Sequence, residues 1–137
     1  MTTPSLGKEK HWRILWKNVE LSAAYGAGGS RVRQGDRHGT GKRDLFINID
    51  DIKQIWEDQG GRCYWLNIEM SLDDLSIKNS PFAPSVERLD NSFGYVPGNI
   101  ALASRFANRG RGAYNEDDFG DRLDLLLKEA RVFKGKD

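Results

Sequence analysis

The chain has 137 residues, 38% hydrophobic and 30% charged, and its 21 Lys+Arg nearly balance 20 Asp+Glu. That is one domain's length, with a globular composition and enough apolar residues for a modest core. No run of about 18 apolar residues is present to span a membrane, no apolar leader stretch follows the polar residues 1–10, and a single cysteine, Cys63, excludes an intrachain disulfide or a zinc site built on two cysteines.

Residues 11–25 read as a helix. Trp12, Leu15, Trp16 and Val19 recur at helical spacing, and Gly26, Gly28 and Gly29 stop it. Residues 26–43 carry six glycines among Arg31, Arg33, Arg37, Lys42 and Arg43, with His38 and no apolar period. Such a segment is either a solvated linker or an arm that orders on phosphates. A helix is expected over residues 50–59, capped by Asn48 or Asp50, with Ile52, Ile55 and Trp56 on one face and Gly60 and Gly61 at its end. Residues 62–72 fit a turn or short strand, and residues 73–84 a loop.

A strand is expected over residues 85–89 and a turn over residues 91–94. A helix is expected over residues 99–109, opened by Asn99 and closed by Gly110 and Gly112. Asn115 is placed to cap a last helix whose first turn holds Glu116, Asp117 and Asp118, the sign the helix dipole favours there. Phe119, Leu123, Leu126, Leu127 and Ala130 form its apolar face. Cys63 and the four tryptophans are read as core, Tyr95 as packing, and Gly94 and Gly98 as serving backbone geometry.

Charge is unevenly spread. Residues 1–43 carry net +6, residues 44–90 net −6 and residues 91–137 net +1. A basic arm and an acidic middle can act separately even when the total is neutral. An acidic middle that binds a basic partner is one reading of this pattern, though charge alone supports it.

The most informative stretch runs from Pro84 to Asn108. Read physically, a strand delivers the carboxylate of Glu87, a polar turn follows, and a helix delivers the carboxamide of Asn108. Both are oxygen donors of the kind hard divalent cations take. Arg105, Arg109 and Arg111 flank Asn108, so phosphate would be drawn to the same helix.

Four motifs in order resemble the HNH endonuclease family, and in particular the HNH-type proteins common in phages. They are Gln59-Gly60-Gly61-Arg62-Cys63, the strand segment from Ser85 to Asp90, the Gly94-Tyr95 to Gly98-Asn99 turn, and a helix ending in Asn108. The resemblance covers about residues 44–112. It implies a small ββα-metal core at 44–112; with the N-terminal helix and basic arm at 1–43 and the C-terminal helix at 113–137, which the resemblance does not cover, the expected fold is α+β.

By the same resemblance, Glu87 and Asn108 match the metal ligands, Mg²⁺ or Mn²⁺ being the implied cofactor, with no structural zinc. Asn99 matches an asparagine that braces the loop by hydrogen bonds. Arg88 stands where the family has its general-base histidine. Arginine does not deprotonate in proteins, so Arg88 is left to clamp the scissile phosphate or to neutralise its developing charge. The base would then be Asp90, His38 or a metal-bound hydroxide, whereas His11 sits in an apolar helix and reads as structural.

The implied activity is metal-dependent hydrolysis of DNA, as in a phage homing or nicking enzyme, with Glu87, Arg88, Asn99 and Asn108 at the site. Arg31, Arg33, Arg37, Lys42, Arg43, Arg105, Arg109 and Arg111 would meet the nucleic acid. Cutting both strands with one small site calls for a homodimer. The expected compartment is the cytosol, the host's cytosol for a phage-encoded chain. The missing histidine motivates the alternative: a non-catalytic DNA-binding module on the same scaffold.

Overall fold

The structure, a computed structural model, describes residues 9–25, 44–112, 114 and 116–132. The basic arm, with Arg31, Arg33, Arg37, His38, Lys42 and Arg43, and the expected cap Asn115 lie outside the described residues. The chain is mixed α and β: helices α1 (Glu9–Tyr25), α2 (Ile49–Gln59), α3 (Arg105–Arg111) and α4 (Glu116–Glu129), and strands β1 (Pro84–Arg88) and β2 (Ile100–Ser104). None of the described helices is long and apolar enough to cross a membrane.

Helix α1 buries Trp12, Leu15, Val19 and Ala23, the period expected of a core-facing stripe. Helix α2 starts at a capping box. The Asn48 side chain accepts from the Asp51 backbone N–H at 3.0 Å, and the Asp51 carboxylate accepts from the Asn48 N–H at 2.8 Å. It ends at Gly60, which takes the left-handed conformation at φ 64°. Trp12 and Trp56 meet edge to face, joining α1 to α2 in one core with Ile52, Leu72, Tyr95 and Leu102. At the start of the expected loop of residues 73–84, and taking in the residue before it, Leu72–Ser76 forms a short 3-10 helix that buries Leu72 and Leu75 under α1.

The expected helix over residues 99–109 is not one element. Its first half is β2, antiparallel to β1, with Pro84 opposite Ser104 and Arg88 opposite Ile100. All five β2 residues are buried, so every side chain has a tertiary reason to be extended. The far edge of β2 is closed by a side chain. Gln59 donates to the Leu102 carbonyl at 2.8 Å and accepts the Leu102 N–H at 3.0 Å, as a neighbouring peptide group would. The Tyr64 N–H adds a bond to the same carbonyl at 2.9 Å.

Ser104, not Asn99, caps the helix that follows. Its hydroxyl accepts the Ala107 N–H at 3.2 Å, while its own N–H bonds the buried Cys63 sulfur at 3.2 Å. Cys63 is thus a core residue, as expected, with an added structural bond.

The last helix also departs from expectation. Its first turn docks, through Phe119 packed edge to face on Trp65 and through the Tyr64 hydroxyl bonded to Glu116 at 2.5 Å. Beyond that turn, Leu125, Leu126 and Leu127 are exposed. Of the expected face of Phe119, Leu123, Leu126, Leu127 and Ala130, Phe119 is buried, Leu123 half-buried and the other three exposed.

Candidate functional site

The order β1, loop, β2, α3 brings the inner face of α3 against the strand pair. Along β1, Ser85 and Glu87 alternate onto one face. Along α3, Asn108 and Arg111 lie three residues apart and therefore side by side. Two pairs result. The Asn108 amide donates to the Ser85 hydroxyl at 2.9 Å, and that hydroxyl donates onward to the Ala103 carbonyl at 2.9 Å. The Arg111 guanidinium donates to the Glu87 carboxylate at 3.0 Å.

The second pair is sealed. Glu87 is 4% exposed and Arg111 1%. The other carboxylate oxygen of Glu87 takes the indole N–H of Trp65, whose ring also lies beneath the Arg111 guanidinium, with the cation 5.3 Å from the ring centre. Arg111 further donates to the carbonyls of Arg88 (2.5 Å), Leu89 and Tyr114 (2.8 Å). Burial pushes the Glu87 carboxyl above the usual carboxylate range, and the bonds from Trp65 and Arg111 pull it partly back.

Arg88 and Asn99 organise the loop between the strands. Arg88 donates to the carbonyls of Asn91 and Phe93, both at 2.9 Å, and its guanidinium lies 5.8 Å from the centre of the Tyr95 ring. The Asn99 amide accepts the Asp90 N–H at 2.9 Å and donates to the carbonyls of Asp90 (3.1 Å) and Gly94 (3.0 Å). Bracing a loop is the role its motif implied. Asp90, considered as a base, accepts the Ser92 N–H at 2.8 Å at the head of this turn. Gly94 runs so close to the segment before α2 that a Cβ would stand 2.5 Å from the Asp44 carbonyl oxygen.

His11 is buried, with one ring nitrogen 3.0 Å from the Ser76 hydroxyl and the other 3.7 Å from Asp73. It anchors α1 to the short 3-10 helix, which fits the structural role expected of it. His38 lies outside the described residues.

A cavity of about 170 Å³ opens beside Asn108. Asn18, Val19, Ser22, Ser85, Val86 and Tyr95 complete its wall, and the Tyr95 hydroxyl donates to Ser22 at 2.8 Å. Glu87 does not line this cavity.

A divalent cation at this site would draw on Glu87 and Asn108. Both carboxylate oxygens already accept N–H bonds, and a guanidinium stands where a cation would have to come. A second positive charge beside Arg111 in a buried site is strongly repelled. Among the described residues no group of three His, Cys, Asp or Glu converges as a ligand set. As arranged, these residues do not fit the metal.

The three arginines of α3 divide. Arg111 is buried and engaged, so it is not presented to a nucleic acid. Its Cβ follows the inner face shared with Ala107, and the fold supplies its acceptors. Arg105 is half-buried and Arg109 exposed on the outer face. Sequence reading missed Ser85 as the partner of Asn108 and Arg111 as the partner of Glu87. The i, i+2 strand period and the i, i+3 helix period were available signals, but they needed β2 recognised between them. Trp65 carried no such signal. Comparison with family models, with curated proteins and with solved structures returns no match.

Proposed function

We propose that the chain is a DNA-binding module built on an HNH-like ββα scaffold, without metal-dependent hydrolysis. One observation carries the reading: Glu87, the residue matched to the metal-binding acid, is buried in the fold with both carboxylate oxygens taken by N–H donors of Arg111 and Trp65. The β1-β2-α3 order and the loop-bracing Asn99 support the scaffold. Arg105 and Arg109, on the outer face of α3, support contact with phosphates. Arg88 holds loop carbonyls, which suits a structural role at the position where the family has its base.

The test is incubation of the full chain with supercoiled plasmid, with and without Mg²⁺ or Mn²⁺, followed by filter retention at rising salt. The expected result is salt-sensitive retention and intact plasmid. Nicking that requires metal and disappears in Asn108→Ala would overturn it in favour of the nuclease. The observation that keeps this second reading in view is the cavity beside Asn108, whose wall mixes the polar Asn18, Ser22 and Ser85 with Val19, Val86 and Tyr95. Arg88→His is the companion variant: a scaffold lacking only its base would gain cleavage.

A further inference from the structure

The outer face of α3 carries more than charge. Phe106 is 65% exposed, and it neighbours Arg109 three residues on. A second phenylalanine, Phe82, is 51% exposed in the segment that leads into β1. The backbone holds the two together. The Phe106 N–H donates to the Pro81 carbonyl at 3.1 Å, and the Arg105 N–H to the Ala83 carbonyl at 2.9 Å. These two bonds straddle Phe82, so both rings leave the surface from adjoining backbone. Ala83 and Ser104, fully buried beneath, make that backbone rigid.

We infer that Phe82 and Phe106 form a stacking platform for unpaired nucleic-acid bases, with Arg105 and Arg109 on the phosphates of the same strand. This deepens the DNA-binding reading and rests on it. The charge around the rings favours a polyanion. Among the described residues, neither Arg105 nor Arg109 is paired with a carboxylate, Lys78 is exposed in the same connection, Asp74 is bonded to Ser80, and Glu87 is buried. A flat aromatic ring stacks on any base, which makes the contact tolerant of sequence. In a duplex the base faces are already covered by their neighbours, so the rings gain nothing there beyond the arginine contacts. The surface therefore selects single strands.

The experiment is fluorescence anisotropy with the full chain, a labelled oligothymidine of about 20 nucleotides and a duplex of equal length, at several salt concentrations. The wild type should bind the oligothymidine more tightly. Phe106→Ala and Phe82→Ala should each weaken that binding roughly 5- to 100-fold and leave its salt slope unchanged, whereas Arg105→Ala and Arg109→Ala should each lower the slope. Phe106→Tyr should keep the affinity. An abasic strand offered to the wild-type protein should bind as weakly as oligothymidine binds the phenylalanine variants, a control that needs no substitution. An abasic strand bound as tightly as oligothymidine would overturn the platform. So would phenylalanine variants that bind like wild type, or that lose single strand and duplex equally, and these outcomes leave DNA binding itself standing. A wild type that binds neither probe would overturn both readings.

Discussion

Arg109 and Arg111 stand two residues apart on α3 and meet opposite environments. Arg109 faces solvent. Arg111 is among the most deeply buried side chains described and holds Glu87, three backbone carbonyls and the face of Trp65. One helix thus carries a guanidinium whose charge is used up inside the fold and another whose charge remains available outside. The lesson is that side-chain type assigns a chemistry but not a location. A buried guanidinium with a full set of acceptors stabilises a fold only while the set is complete. An exposed one contributes little to stability and much to long-range attraction of anions.

That contrast can be broken most forcefully from the inner side. Glu87→Ala leaves Arg111 buried without its counter-charge, and should destabilise the fold by about 3–5 kcal/mol in urea unfolding. Arg109→Ala should move stability by no more than about 0.5 kcal/mol. Equal effects would erase the distinction between the two faces. Replacing both partners, Glu87→Leu with Arg111→Met, should recover only part of the loss, because it removes the orphaned charge but leaves the Trp65 N–H and the carbonyls of Arg88, Leu89 and Tyr114 without their partners.

The frame that holds the inner pair can be tested next. Gln59→Ala leaves the buried Leu102 N–H without its acceptor, and should cost about 1–3 kcal/mol. Gly94→Ala forces a methyl into the Asp44 backbone and should cost about 1–3 kcal/mol through displacement of the loop. Both are read by thermal or urea unfolding, and neither should alter the salt dependence of DNA binding.

The sign of the pH dependence sharpens the account of Glu87. Its carboxyl lies above the usual range, chiefly through burial. Folding therefore favours the protonated acid. Relative to Glu87→Gln, the wild type should be most stable below the ordinary carboxylate pKa and should lose stability as pH rises through the raised one, with no further change above it. Urea midpoints across acid pH measure this. A wild type that gains stability with pH over that window would mean that Arg111 and Trp65 outweigh desolvation.

The smallest effect is spectroscopic. The Tyr64 hydroxyl is pushed up to about 12, first by its bond to the Glu116 carboxylate. Glu116→Gln should return its ultraviolet titration toward the ordinary tyrosine value, with little change in stability because the pair is exposed.

Much of the fold was legible in the sequence. The Asn48 cap and the Gly60 stop reappear in the structure because each rests on interactions within a few residues, and the Trp12, Leu15 and Val19 stripe because its helical spacing puts one apolar face toward the core. The segment at Ile100–Ser104 was not legible as a strand. A short run of Ile, Ala, Leu and Ala is compatible with either helix or strand, and the choice came from β1 and the Gln59 amide, one at each edge. The helix start then shifted from Asn99 to Ser104, and Asn108 and Arg111 came to lie within one short helix facing β1. The face of Leu123, Leu126, Leu127 and Ala130 misled for the complementary reason: local periodicity invited burial, yet among the described residues Leu123 is only half-buried and the other three are exposed.

The sequence by itself determined the elements whose forces act locally, and it marked Glu87, Asn99 and Asn108 as residues of interest through their motif spacing. Only the tertiary structure decided what those residues face. Asn99 braces the loop, Asn108 meets Ser85 beside a cavity, and Glu87 is closed over by Arg111 and Trp65. The physical reason is that a charge's effect depends on burial and on partners 22 to 24 residues away, which no local pattern specifies.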